Sequence, residues 1–216
     1  MNKRDYKEFA EGECYHIYNR GNGKMDVFKD EQDYGVFRSR LLAALNCQGA
    51  PLAGQSESER VRITPFDAGT FSIIAWTPMP NHFHFLIRQN TEVPISKLFL
   101  KLLTSYSMYF NRKYKHAGHV FQDRFKAVHV ENDAQLLHVS AYIHTNPLVA
   151  GLVRSLSDWP HGSYPEYMGA SRGAVCDTNI VLEHFKDAKE YERFVSEATE
   201  DIRARKDMAR DLMMDI

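Results

Sequence analysis

Two histidines separated by one bulky residue open the chemistry of this chain. His82 and His84 stand in the run Pro80-Asn81-His82-Phe83-His84-Phe85-Leu86-Ile87-Arg88. A β-strand sends alternate side chains to opposite faces. Read as a strand, the run places Phe83, Phe85 and Ile87 toward a core and leaves His82, His84, Leu86 and Arg88 on the other face. Two imidazoles so placed can chelate one metal ion, with Arg88 further along the same side for an anion. So short a pattern also fits a half-buried strand with solvated rings, and it needs partners elsewhere. A later segment offers them: His138, Tyr142 and Asn146 are spaced i, i+4, i+8. Residues four apart stack on one helix face, so Tyr142 would bring a phenolic oxygen and Asn146 an amide carbonyl oxygen to a common site. The plainer reading is a tyrosine packed at a core edge and an asparagine at a helix end before Pro147.

The surrounding elements determine whether these groups can meet. Cys14 to Asn19 reads as a first strand closed by the turn Arg20-Gly21-Asn22-Gly23. Asn19 and Arg20 at that strand end are candidates for a phosphate contact, or simply turn chemistry. Asp30 to Leu45 carries a 3.6-residue apolar repeat with an acidic first turn, a helix signal. Gln48 to Arg60 reads as an exposed loop inside an insertion spanning 46–62. Thr70 to Trp76 is an apolar strand leading through Pro78 and Pro80 into the histidine strand as a hairpin. Ile95 to Tyr114 is an amphipathic helix. Val120 to Val130 reads as a strand, with Arg124 and Lys126 among its apolar residues as candidate phosphate ligands. Asn132-Asp133-Ala134-Gln135 opens a helix in the manner of a capping box, and Pro147 should stop it.

The order β-α-β-β-α-β, followed by a helix, predicts an α+β fold: a ferredoxin-like antiparallel sheet with helices on one face and the other face left open for a site. Residues 9–167 form this domain. Residues 168–216 are an acidic, mainly helical C-terminal extension, with eleven acids to seven bases from Asp177 onward.

The 216 residues have a formal net charge of -1, so overall basicity does not argue for nucleic acid. Local charge does: Lys101 to Lys126 holds six Lys or Arg against one acid. Cys14, Cys47 and Cys176 are far apart and form no C-x-x-C pair, against a disulfide framework and in keeping with a reducing cytoplasm. The charged N-terminus has no apolar core of a secretory signal. No apolar stretch approaches the ~20 residues of a membrane helix.

Met79 to Ile87 resembles the HUH motif (His, bulky hydrophobe, His) of single-tyrosine transposases. Gly118-His119-Val120-Phe121-Gln122-Asp123-Arg124-Phe125-Lys126 and Tyr142-Ile143-His144-Thr145-Asn146-Pro147 through Val153 are similar to later blocks of the REP-associated tyrosine transposase branch, and Asp158-Trp159-Pro160 with Ser163-Tyr164 resembles its closing segment. The resemblance implies that His82 and His84 bind a divalent metal and that Tyr142 is the nucleophile. Asn146 falls where the wider superfamily often has Gln, one methylene longer, and is the candidate third ligand. The implied reaction is cleavage of single-stranded DNA to a 5′-phosphotyrosine link and a free 3′-hydroxyl. The mixed N/O donors suit Mg²⁺ or Mn²⁺, and the substrate would carry a hairpin or palindromic repeat. A phenol of pKa ~10 needs help losing its proton, and His138, one turn before Tyr142, is a candidate helper. Relatives of this kind act as monomers or homodimers.

Two rivals remain at this level: a domesticated DNA- or RNA-binding regulator of the same fold that does not cut, and a small-molecule metal hydrolase using the histidine pair. The basic stretch speaks against the second.

Overall fold

The computed structural model describes residues 8–47, 63–170 and 175–214, with the backbone alone for 203–214. The insertion 46–62 and the loop Gln48 to Arg60 thus lie almost wholly outside the described residues.

Four strands form one antiparallel sheet: β1 (Cys14–Arg20), β2 (Phe71–Met79), β3 (His82–Gln89) and β4 (Lys126–Val130), in the order β2-β3-β1-β4. Helix α1 (Glu31–Ala44) links β1 to β2, and α2 (Ile95–Tyr114) links β3 to β4. This is the predicted ferredoxin-like α+β arrangement, with β1 and β3 central. Pro78 lies inside β2 yet costs no ladder pairing, because β2 is an edge strand.

Alternation along the strands divides the apolar residues into two cores. Tyr15, Ile17, Ile73, Trp76, Phe83, Phe85 and Ile87 face α1 and α2, where they meet Phe37, Leu41, Leu98, Phe99 and Tyr106. At the far end of the two helices, Lys113 Nζ is 2.7 Å from Asp30 and 2.8 Å from the fully buried Asp33, clamping α2 to the N-terminus of α1. Asp30 is also the α1 N-cap, accepting from Asp33 N.

The opposite sheet face is partly covered by α3 (Asp133–Val149) and by α6 (Ala188–Met214), with the short helices α4 (Tyr164–Tyr167) and α5 (Asn179–Leu182) between them. Ile74, Ala75 and Leu86 from the sheet join Leu136, Ala141 and Ile143 of α3 and Tyr191 and Val195 of α6 in a second core. The C-terminal extension is therefore packed onto the helix that carries Tyr142.

Two local expectations differ from the structure. The strand expected over 120–130 begins only at Lys126. Before it the backbone bends through Asp123 at φ 35, while Asn22 N bonds Val120 O and Gln122 N bonds Arg20 O, so this stretch is tied to the end of β1. Pro147 does not stop α3 either. The helix continues to Val149, since a proline removes only one donor and Leu152 N and Ala150 N still close the last turn onto Pro147 O and Asn146 O. Asn146 is thereby held in helical geometry one turn beyond Tyr142.

Candidate active site

Residue alternation puts the site on the α3 side of the sheet. With Phe83 and Phe85 committed to the α1–α2 core, His82 and His84 must project the other way, and the β1 residues of matching parity, His16 and Tyr18, share that face. The register sets Tyr18 opposite His84 and Arg20 opposite His82. The four rings cluster: His84 is 5.1 Å from His82, 5.1 Å from His16 and 5.8 Å from Tyr18, centre to centre.

Helix α3 brings Tyr142 over this cluster. Its ring stands edge-on to His84 at 5.5 Å and to His16 at 5.9 Å. Tyr142 is 37% exposed, so the ring rests on the imidazoles and remains accessible from solvent. The helix is oriented from its other side. His144 is fully buried between Tyr191 OH of α6 at 2.8 Å and Ser163 Oγ at 2.7 Å. Ser163 Oγ in turn accepts from Trp76 N at 2.9 Å, which ties α3 and α6 to β2.

Burial controls the protonation of the site. Desolvation lowers His16 to about 4, and desolvation together with the charge of Arg20 lowers His82 to about 4. His84, the most deeply placed, is pushed well below 6.5, first by desolvation and then by the neighbouring imidazoles. All three are neutral at neutral pH, the form that offers a nitrogen lone pair. The Tyr142 phenol is raised, mainly by desolvation and slightly by Tyr18, with a hydrogen bond from Asn146 opposing.

The donor set fits a divalent ion in its chemistry. His82 Nδ1 lies 2.7 Å from Asn81 Oδ1, and an N–H donated there leaves Nε2 as the free ligand atom. Asn146 Nδ2 donates to Tyr142 O at 2.7 Å, which leaves its carbonyl oxygen unspent. Among the described residues, no group of three or more His, Cys, Asp or Glu is arranged to hold a metal. A third donor would have to be an amide, a phenol, water or an exogenous ligand.

The other candidates fall in different places. Arg20 borders His82 at the end of β1. Asn19 has the parity of the α1–α2 core, is 5% exposed, and its Oδ1 accepts from Arg20 N at 2.8 Å, so its side chain is not with the imidazoles. Arg88 is exposed at the far end of β3, where Nε donates to Gly12 O at 3.1 Å. Arg124 and Lys126 line a separate cleft of about 690 Å³ with Phe9, Phe99, Leu100 and Phe125. His138 turns its ring to Phe194 of α6, 5.7 Å away. Of the basic stretch, Lys113 is used in the α1–α2 clamp and Lys101 Nζ donates to Thr64 O. All three cysteines are free. No helix among the described residues is long and apolar enough to cross a membrane.

A family model described as "Transposase IS200 like" matches residues 62–146, a span that begins before β2 and ends on Asn146. A Haemophilus influenzae protein carrying the name REP-associated tyrosine transposase is 30% identical over 105 residues, covering 44% of this chain and 59% of that protein. Over residues 62–146 the chain is similar to the IS200-like transposases. It spans about three fifths of the length of that Haemophilus relative. The solved structure of a REP-associated tyrosine transposase bound to a REP hairpin superposes with a TM-score of 0.56 at 17% identity, over 80% of this chain and 91% of that one. At that identity the likeness is one of fold, and it extends to the four-stranded antiparallel sheet with its helices.

Sequence reasoning passed over His16, Tyr18 and Asn81. The signal for the first two was present: Tyr15 and Ile17 alternate inward, so His16 and Tyr18 must face outward. Which outward face of which strand they would join required the β1–β3 pairing.

Proposed function

We propose that this chain is a metal-dependent endonuclease and strand transferase of single-stranded DNA. The observation that supports it most is the convergence of Tyr142 from α3 on the imidazoles of β3, with the phenol ring 5.5 Å from His84. In this reading His82 and His84 hold Mg²⁺ or Mn²⁺, with Asn146 as the third protein donor. The ion's contribution is to offset the negative charge that builds on the phosphate oxygens in the transition state.

The remaining steps belong to the chain. The Tyr142 oxygen forms a bond to phosphorus as the bond from phosphorus to the 3′ oxygen breaks, which leaves a 5′-phosphotyrosine and a 3′-hydroxyl. The phenol gives up its proton and the departing 3′ oxygen gains one. Burial holds the phenol protonated in the free protein, and the Asn146 hydrogen bond works against that. One phosphate ester replaces another, so a 3′-hydroxyl can later reverse the step without a nucleotide cofactor. Arg20 beside His82 is the nearest candidate for the scissile phosphate, and Arg124 and Lys126 offer charge to strand further out. A hairpin-bearing single strand is the substrate expected by analogy with the hairpin-bound relative.

The test is covalent adduct formation on a single-stranded hairpin oligonucleotide with Mn²⁺. Wild type should form a protein–DNA adduct, and Tyr142→Phe and His82→Ala should not, while Tyr142→Phe still binds the oligonucleotide. An adduct that survives Tyr142→Phe would overturn the assignment of the nucleophile. Binding without any adduct from the wild type would favour a non-cleaving regulator.

A further inference from the structure

His16 lies outside the His-x-His run and outside the family-model match, yet its ring is hydrogen-bonded to that of His84. Its Nε2 is 2.9 Å from His84 Nδ1. Two neutral imidazoles at that distance share one proton donor, and only two arrangements exist. If His16 Nε2 carries the proton, the remaining proton of neutral His84 sits on Nε2 and that atom is closed to a ligand. If His84 Nδ1 carries it, Nε2 of His84 is bare and His16 keeps its own proton on Nδ1.

The neighbouring histidine points to one of these arrangements. His82 Nδ1 is 2.7 Å from Asn81 Oδ1, and the two histidines then have the same design: Nδ1–H anchored on an acceptor, Nε2 left open. Ligand imidazoles commonly donate their second N–H to an acceptor that fixes tautomer and ring orientation. Asn81 and His16 occupy that position for His82 and His84 respectively. The two anchors are themselves placed by backbone: Gly21 N bonds Asn81 O at 2.8 Å, pinning the β2–β3 turn to the end of β1, and His16 sits in the middle of β1 facing Leu86 in register. A side chain at position 21 would put a Cβ 2.1 Å from Met25 O, so only glycine permits the close passage of the Met25 backbone there.

We propose that His16 is a positioning residue that accepts the Nδ1–H of His84 and thereby holds His84 in the tautomer that can bind a metal ion. This rests on the reading of His82 and His84 as metal ligands. His16 does not itself join the ligand set, which agrees with the absence, among the described residues, of a group of three His, Cys, Asp or Glu suited to a metal. Its ring also flanks Tyr142, so removing it would disturb two neighbours, and the test has to separate these effects.

The experiment uses the full chain and two readouts. Long-range ¹H–¹⁵N spectra of the metal-free wild type should show His84 protonated on Nδ1 and bare on Nε2, and His16 bare on Nε2. Calorimetric titration with Mn²⁺ should show binding weakened about 10- to 100-fold in His16→Leu, the usual cost of losing such an anchor. His16→Gln, which restores an acceptor oxygen, should recover most of the affinity. A wild-type His84 protonated on Nε2 would overturn the proposal. So would His16→Leu binding Mn²⁺ as tightly as wild type while His82→Ala does not bind. If wild type itself binds no Mn²⁺, the ligand reading of His82 and His84 fails, and the role of His16 toward a metal fails with it.

Discussion

The two faces of the sheet are made by the same strands and serve opposite ends. On the α1–α2 face, Phe83 and Phe85 meet Phe37 and Phe99 with ring centres 5.3–6.2 Å apart, all fully buried and with no polar group among those rings. On the α3 face, the next residues along the same strand are His82 and His84, clustered with His16, Tyr18 and Tyr142, with Tyr142 still open to solvent. Alternation alone gives a strand one dry face and one chemical face. The dry face holds the backbone rigid, and the rigid backbone presents the imidazoles.

The contrast predicts that matched substitutions on the two faces fail differently. Phe85→Ala should cost about 3–5 kcal/mol by urea denaturation, as expected for emptying a buried aromatic site, and should remove activity by unfolding. Tyr142→Phe should change stability by no more than about 0.5 kcal/mol, as surface substitutions do, and still abolish adduct formation. If Tyr142→Phe unfolded the chain, the α3 face would have to be redescribed as core.

The link between the faces is the buried His144 network. Ser163→Ala removes the acceptor for Trp76 N and leaves His144 Nε2 unpaired. It should cost about 1–3 kcal/mol, the penalty for buried unsatisfied groups, and reduce adduct formation without touching a reacting group. Unchanged stability would mean that water replaces the hydroxyl.

His144 also sets a pH dependence. Desolvation lowers it from 6.5 to about 3 in the folded chain. Between these values the unfolded chain binds the proton and the folded chain does not, so folding stability falls as pH drops from 6.5 toward 3 and is unaffected by this group above 6.5. Melting temperatures measured across that window should show the decline, with a shallower slope for His144→Gln. A flat profile would show that His144 is protonated in the folded state.

The smallest effect is expected at His138. Its ring rests on Phe194 and is exposed, so His138→Ala should shift stability by no more than about 0.5 kcal/mol and leave the adduct yield intact. A strong loss of adduct would bring back a proton-transfer role.

Much of the fold was legible because the elements repeat cleanly. The helix expected over Ile95–Tyr114 has those bounds, and Asn132 caps α3 through Gln135 N at 2.9 Å. The errors came from tertiary compensation. Residues 120–125 have strand-like composition, but their hydrogen bonds go to the end of β1, and Pro147 is absorbed because the helix end finds other donors. Asn19 and Arg20 are neighbours in sequence, but adjacent strand residues point apart, and Asn19 is buried on the other face.

The sequence by itself determined the periodicities: which residues of β3 face a core, where α2 begins and ends, and that His82, His84 and the pair Tyr142 and Asn146 are each confined to one side of their own element. These follow from local geometry, which a single segment carries. Only the tertiary structure decided that β1 lies beside β3 in a register that brings His16 to His84, that α3 crosses the histidine face, and that Arg88 and His138 point elsewhere. Such pairings depend on strand order and on which core each helix closes, a balance of burial over the whole chain that no local pattern encodes.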